Sequence, residues 1–209
     1  MDRNKLGIAA YRNQYPTQAD LTTFMTKFWS SAVDTTFTIV QINGGSYDPK
    51  RPRTEANIDI QYTEAIAYPT PHIFYSIGGQ VQLSPDSNKP APGDPFLEWF
   101  KYALDQQKIL QTITTFVGIE GSPAGICNAV CNLYLQLGAR GVGVIFASGD
   151  HDVDRGDCKA KDGSGKIQFS PVFPAPCTCV IHLTLEAVQY TNAGTSRSLS
   201  PRFHRSLGH

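Results

Sequence analysis

Apolar and polar positions along the chain fall into two alternating rhythms. Short, nearly continuous apolar runs alternate with longer stretches in which apolar residues recur three and four apart. "KLGIAAY" (5–11) reads as a buried strand. In "TQADLTTFMTKFW" (17–29), Leu21, Phe24, Met25 and Phe28 share helical spacing, and Thr17 with Asp20 forms a capping pattern. "TFTIVQI" (36–42) is β-branched and strand-like. A loop, "NGGSYDPKRPR", leads to a helix over about 54–67 that stops before Pro69. "HIFYSIGG" (72–79) is the third strand. "DPFLEWFKYALDQQ" is a helix with Asp94 as N-cap, Pro95 at its first position, and Phe96, Trp99, Phe100, Ala103 and Leu104 on one core-facing stripe. "QTITTFVG" is the fourth strand, and "AGICNAVCNLYLQLG" a helix stopped by Gly138. "GVGVIFASGD" is the fifth strand, apolar enough to be central. The order β-α-β-α-β-α-β-α-β, with crossovers long enough to return parallel strands, predicts an open α/β sheet covered on both faces. Beyond residue 150 the pattern dissolves into Gly-, Asp- and Pro-rich loops. Residues 181–209 have no clear periodicity and read as a flexible tail.

Composition narrows the class. A hydrophobic fraction of 41% over 209 residues supports a real core, and no apolar run is long enough to span a bilayer. With 17% charged residues and a formal net charge of zero, nothing marks a nucleic-acid partner. The five cysteines, Cys127, Cys131, Cys158, Cys177 and Cys179, match no zinc module. Cys158–Cys177 is the expected disulfide, with Cys127 and Cys131 as buried thiols. "MDRNKLGIAAY" has no apolar core of a signal peptide.

The chemistry-bearing stretch is "EANIDIQY" (55–62), where Glu55 and Asp59 sit four apart on one helix face. Asp150 closes the fifth strand in "FASGD". In doubly wound sheets, sites form at the carboxyl ends of the strands, the edge that Asp150 and the start of this helix both reach. Three carboxyls meeting there cannot all ionise cheaply, so at least one keeps its proton, as suits acid–base chemistry below neutrality. Carboxylates at a helix start also favour the helix dipole with no chemistry involved. Glu64 stands out of register with this pair and reads as a surface residue.

The segments "LGIAAY…ADLTTF", "NGGSYD", "EANIDIQYTEAIAYPTP", "FYSIGG", "QLGARGVGVIFASGD" and "FSPVFPAPC", in this order over about residues 5–178, resemble the sedolisin family of serine-carboxyl peptidases, especially the fungal tripeptidyl-peptidase-like members. The resemblance implies a subtilisin-like, mostly parallel doubly wound sheet, with residues 1–180 a partial catalytic domain. It implies a Ser-Glu-Asp triad. Glu55 matches the general base, Asp59 the group that orients it, and Asp150 the oxyanion-hole carboxyl, which donates only when protonated. It also implies peptide or protein substrates, acid-range activity and an extracellular setting. No membrane or nucleic acid is implied. The family's nucleophile is a serine in an S-G-T-S-type motif far downstream of S-G-D. Ser196 in "AGTSRS" lies 46 residues after Asp150 in the tail and reads as an ordinary serine, so no nucleophile is assigned and the chain alone is expected to be inactive. The family's calcium site is placed beyond the matched segment, so no cofactor or metal is expected.

Other patterns read as structural. "DHDVDRG" (150–156) puts the glycine of a calcium loop one place late, and Lys161 stands where its glutamate belongs. His151 beside Asp150 and Ser148 lacks the geometry of a triad. His72 at a strand start reads as structural. Gly44-Gly45 and Gly78-Gly79 follow strands without the spacing of a nucleotide loop. The remaining alternatives are a non-catalytic peptide-binding remnant of the fold and a chain that exposes too much sheet surface to be stable alone.

Overall fold

The computed structural model describes residues 4–79, 81–83, 91–93, 95–115, 119–120, 124–147, 164–167, 172–173 and 177. Its centre is a five-stranded parallel sheet of β1 (Leu6–Ala10), β2 (Phe37–Ile42), β3 (His72–Ile77), β6 (Thr112–Thr115) and β8 (Gly143–Phe146), in the order β2-β3-β1-β6-β8. Two small antiparallel pairs join it: β4 (Val81–Leu83) with β5 (Ala91–Gly93), and β7 (Ile119–Glu120) with β9 (Val172–Phe173). The helices are α1 (Gln18–Phe28), α2 (Thr54–Ala67), α3 (Phe96–Asp105) and α4 (Ala124–Ala139). The expected α/β sheet with helices on both faces is what the chain forms. Among the described residues no helix is long and apolar enough to cross a membrane.

Alternation along β1 divides the core. Ile8 and Ala10 pack with Leu21 and Met25 of α1 and with Ala56 and Ile60 of α2. Ala9 and Tyr11 pack on the other face with Trp99 and Phe100 of α3 and Val130, Tyr134 and Leu137 of α4. A strand buried on both sides has no polar face, which explains the unbroken apolar run in "LGIAAY". Phe28, expected on the packed stripe of α1, is exposed (61%) because it sits in the last turn, beyond the sheet.

These layers fix the handedness of the connections. β1–α1–β2 runs toward the β2 edge on one face. β3–α3–β6 and β6–α4–β8 run toward the β8 edge on the other face, so all three share one hand. β2–α2–β3 runs toward the β8 edge but on the face of α1. With the other three in the usual right-handed sense, this connection is left-handed. It sets α2 beside α1, with its first turn at the carboxyl edge of the sheet.

Several local expectations hold and others change. Thr17 caps α1, its hydroxyl accepting from Asp20 N at 3.1 Å. Asp94 lies outside the described residues, and Pro95 precedes α3 rather than opening it. Gly138 does not end α4. The helix runs through Ala139 and stops at Gly141 (φ +80°), with Val142 N donating to Leu137 O and Gly141 N to Gly138 O. That is a Schellman ending, and it needs the left-handed residue at 141. Gly45 and Gly78 press backbone against backbone where the β2 and β3 turns meet, and a Cβ on either would strike main-chain atoms.

Glu64 is not a surface residue. It is fully buried, with Oε1 3.0 Å from His72 Nδ1 and Oε2 accepting from Thr35 Oγ1 at 2.7 Å. The reason is its place on the turn sequence of α2, in line with Ala56 and Ile60 on the sheet-facing side. His72 is structural, as expected, and this pair ties the end of α2 to the start of β3. The disulfide also differs: Cys177 bonds Cys131, not Cys158, across a Cα–Cα distance of 5.4 Å. Cys131 projects from α4 toward the β9 region, which brings Cys177 to it. Cys127, one turn earlier, is half-buried and lies outside the bond.

Two outcomes follow. Glu64→Ala leaves His72 buried without its partner and lowers stability by roughly 3 kcal/mol in urea unfolding. Cys131→Ser opens a 46-residue separation and costs about 2–4 kcal/mol, measured as a lower melting temperature that reductant reproduces in the parent chain.

Candidate functional site

The carboxyl edge of the sheet is built from the turns after β1, β2 and β3, and these turns interlock. Tyr15 Oη and Ser46 Oγ are 2.6 Å apart, and Ser46 Oγ donates to Asn13 Oδ1 at 3.2 Å. Ser76 at the end of β3 donates its hydroxyl to Ser46 O, and Asn43 Nδ2 donates to Gly78 O at 2.8 Å. Arg12, Asn13 and Asn43 all take positive φ. Three non-glycine residues in the left-handed region on one rim mark a backbone held by its surroundings.

α2 enters this rim. Its N-cap residue, Arg53, makes no side-chain cap, but Arg53 N donates to Tyr15 O at 2.9 Å. Glu55 sits in the first turn, where the exposed backbone N–H groups favour negative charge. Asp59 lies one turn deeper on the same side. Its Oδ2 is shielded from solvent and has no hydrogen-bond partner among the described residues. Burial, and after it the charge of Glu55, pushes the Asp59 carboxyl up to about 8. The two acids therefore occupy unlike environments, one at a favourable helix end and one that keeps its proton through the neutral range. A proton on Asp59 relieves the repulsion between two carboxyls placed one turn apart.

Of the residues singled out from sequence, the structure brings Glu55 and Asp59 together. Asp150 lies outside the described residues, as do Ser148, His151, Gly156, Cys158, Lys161, Ser196 and the 181–209 tail. Among the described residues no group of three His, Cys, Asp or Glu side chains gathers as a metal centre needs. Gly45 and Gly78 serve close backbone packing of the rim and Gly79 lies against Asn43, while Gly44 takes a positive φ in open space. Sequence reasoning missed Tyr15, Ser46, Ser76 and Asn57. Asn57 was the most accessible of these, a residue with both donor and acceptor inside the motif that carries the two acids.

No family model matches the chain. Sequence comparison does find relatives. The chain is 33% identical over 189 residues, 86% of its length, to a probable tripeptidyl-peptidase SED2 of Arthroderma benhamiae. It is 31% identical over 222 residues to the tripeptidyl-peptidase SED4 of Arthroderma otae. It spans about a third of the length of these curated relatives, 32% and 37% respectively. In fold it matches Pseudomonas sedolisin, a serine-carboxyl proteinase, with a TM-score of 0.55 and 19% identity, over 85% of this chain and 47% of that one. The sheet and its helices thus share the α/β fold of that proteinase. The chain's relatives in sequence are the fungal tripeptidyl-peptidases.

The proton on Asp59 makes stability depend on pH in a definite direction. Burial pushes the folded carboxyl up to about 8, against an ordinary value of 3.8 in the unfolded chain. Between those values the folded chain holds a proton that the unfolded chain has lost, so stability falls as pH rises, by up to about 1.4 kcal/mol per unit. Asp59→Asn removes that slope. Urea unfolding from about pH 4 to 8 checks it, with the variant giving the flatter curve and the larger gain at the alkaline end.

Proposed function

We propose that the chain carries the acid–base side of a serine-type peptidase site that works in acid. Glu55 is the general base, Asp59 the protonated group that orients it, and Asp150 the neutral carboxyl that donates to the developing oxyanion. The observation that carries this reading is the shielded, proton-retaining Asp59 beside Glu55 at the carboxyl edge of a sedolisin-type sheet. A carboxylate base is weaker than imidazole but is ionised at lower pH, and a neutral carboxyl donor is lost as pH rises. Both features place the working range below neutrality. Asp150, which follows β8 in the sequence, receives its role by resemblance alone.

In this reading the substrates are peptides or proteins, bound along the rim formed by the turns after β1 and β2. The setting is extracellular, and the Cys131–Cys177 disulfide supports an oxidising compartment. No serine of this chain is assigned as the nucleophile, and no metal is assigned to it.

The test is a chimera in which the matching segment of one fungal tripeptidyl-peptidase relative is replaced by residues 4–147 of this chain. Turnover of a tripeptide amide at about pH 4 is expected, falling about 100- to 10,000-fold with Glu55→Gln. A folded chimera that turns over equally well with Glu55→Gln overturns the assignment of the base. A folded chimera that binds the tripeptide amide without cleaving it supports a peptide-binding remnant instead.

A further inference from the structure

α2 is seated on the sheet by Ala56 and Ile60, a small side chain and a branched one, and neither resists rotation about the helix axis strongly. What fixes that rotation in the first two turns is polar. Asn57 Oδ1 accepts from the backbone of Thr17 at 3.0 Å, and Asn57 Nδ2 donates to Asp20 Oδ2 at 2.7 Å. Thr17 and Asp20 are already joined as the capping pair of α1. One amide thus spans the capped end of α1, with the acceptor on one arm and the donor on the other. Asparagine supplies both at adjacent atoms; aspartate and serine do not supply that pair in that geometry.

Asn57 stands two residues from Glu55 and two from Asp59. At 100° per residue, Asn57 and Asp59 lie 200° apart, on opposite flanks of α2, with the sheet-facing Ala56 and Ile60 between them. We propose that Asn57 is a positioning residue that sets the roll of α2 against α1 and thereby aims Glu55 and Asp59 into the rim. The inference rests on the reading of those two acids as the acid–base pair. A roll of about 10° moves a carboxyl oxygen about 6 Å from the axis by about 1 Å. A misplacement of that size at a reacting group costs on the order of 100-fold in rate. The same roll exposes the shielded Oδ2 of Asp59 to water, so the carboxyl reports the clamp directly.

The experiment follows the Asp59 side-chain carboxyl carbon by NMR through a pH titration of the full chain, with circular dichroism confirming the fold of each variant. Asn57→Ala and Asn57→Asp are expected to lower the Asp59 midpoint by at least about one pH unit. Asp20→Asn keeps an acceptor for Asn57 Nδ2 and is expected to leave the midpoint in place. The double variant Asn57→Asp with Asp20→Asn exchanges donor and acceptor, and is expected to recover the parent midpoint. A folded Asn57→Ala with an unmoved midpoint overturns the proposal. If Asn57→Ala does not fold, the double variant decides: a recovered midpoint supports the clamp and a lowered one overturns it. This readout needs no turnover, so it stands apart from the test of Glu55 as base. In the chimera, Asn57→Ala is expected to lower kcat by on the order of 100-fold with KM within about threefold, and an unchanged kcat counts against the proposal.

Discussion

The described part of the molecule depends on one strand being dry on both sides. β1 gives Ile8 and Ala10 to the layer under α1 and α2, and Ala9, with Tyr11 just past its end, to the layer under α3 and α4. Each of its flanking strands pairs with it in parallel register over four or five residues. Its backbone polar groups are thus satisfied by neighbours while its side chains join two separate cores. A charge placed on this strand has no face on which to meet water. Position along the other elements follows: the helices are held at fixed heights, and the turns that leave the strands arrive together at one edge.

Along α2 the chain places polarity where the core permits it. Glu64 and Asp59 are both acids on α2, five residues apart, and both are withdrawn from solvent, yet they are treated differently. Glu64 has His72 and Thr35 against its two oxygens and serves as a structural fastening. Asp59 has a shielded oxygen with no hydrogen-bond partner among the described residues and a second carboxyl one turn away. A buried polar atom without a partner costs stability, and proteins keep such atoms where chemistry or binding needs them. The two acids on one helix thus differ in what meets their oxygens: His72 and Thr35 stand against Glu64, and Asp59 Oδ2 has no hydrogen-bond partner among the described residues.

Much of the fold was legible in the sequence because it is written in short-range patterns. The five strands and four helices follow apolar periodicity, and Thr17 announces its cap. The pairing of Glu55 with Asp59 needs only the helical repeat. What was not legible depends on three-dimensional neighbours. The spacing of Glu64 puts it in line with Ala56 and Ile60, but its polarity argued for solvent, and only the arrival of His72 and Thr35 reconciles the two. Cys131 meets Cys177 only in the folded chain, 46 residues apart in sequence, and no spacing encodes that. Gly138 and Gly141 are equivalent as letters; the left-handed backbone at 141 decides between them. The role of Asn57 appears only once α1 lies beside α2, and that depends on a connection of unusual hand.

The Cys131–Cys177 bond has a further consequence. It joins the middle of α4 to a point beyond β9, so β8 and the stretch that carries Asp150 belong to a covalent ring. Long turns at a sheet edge are where proteolytic nicking concentrates, and this chain's kin are themselves peptidases. A single cut anywhere inside the ring leaves both new ends attached to the same body, so the severed strand is retained rather than shed. Damage of that kind is borne as a break in the chain without loss of any part.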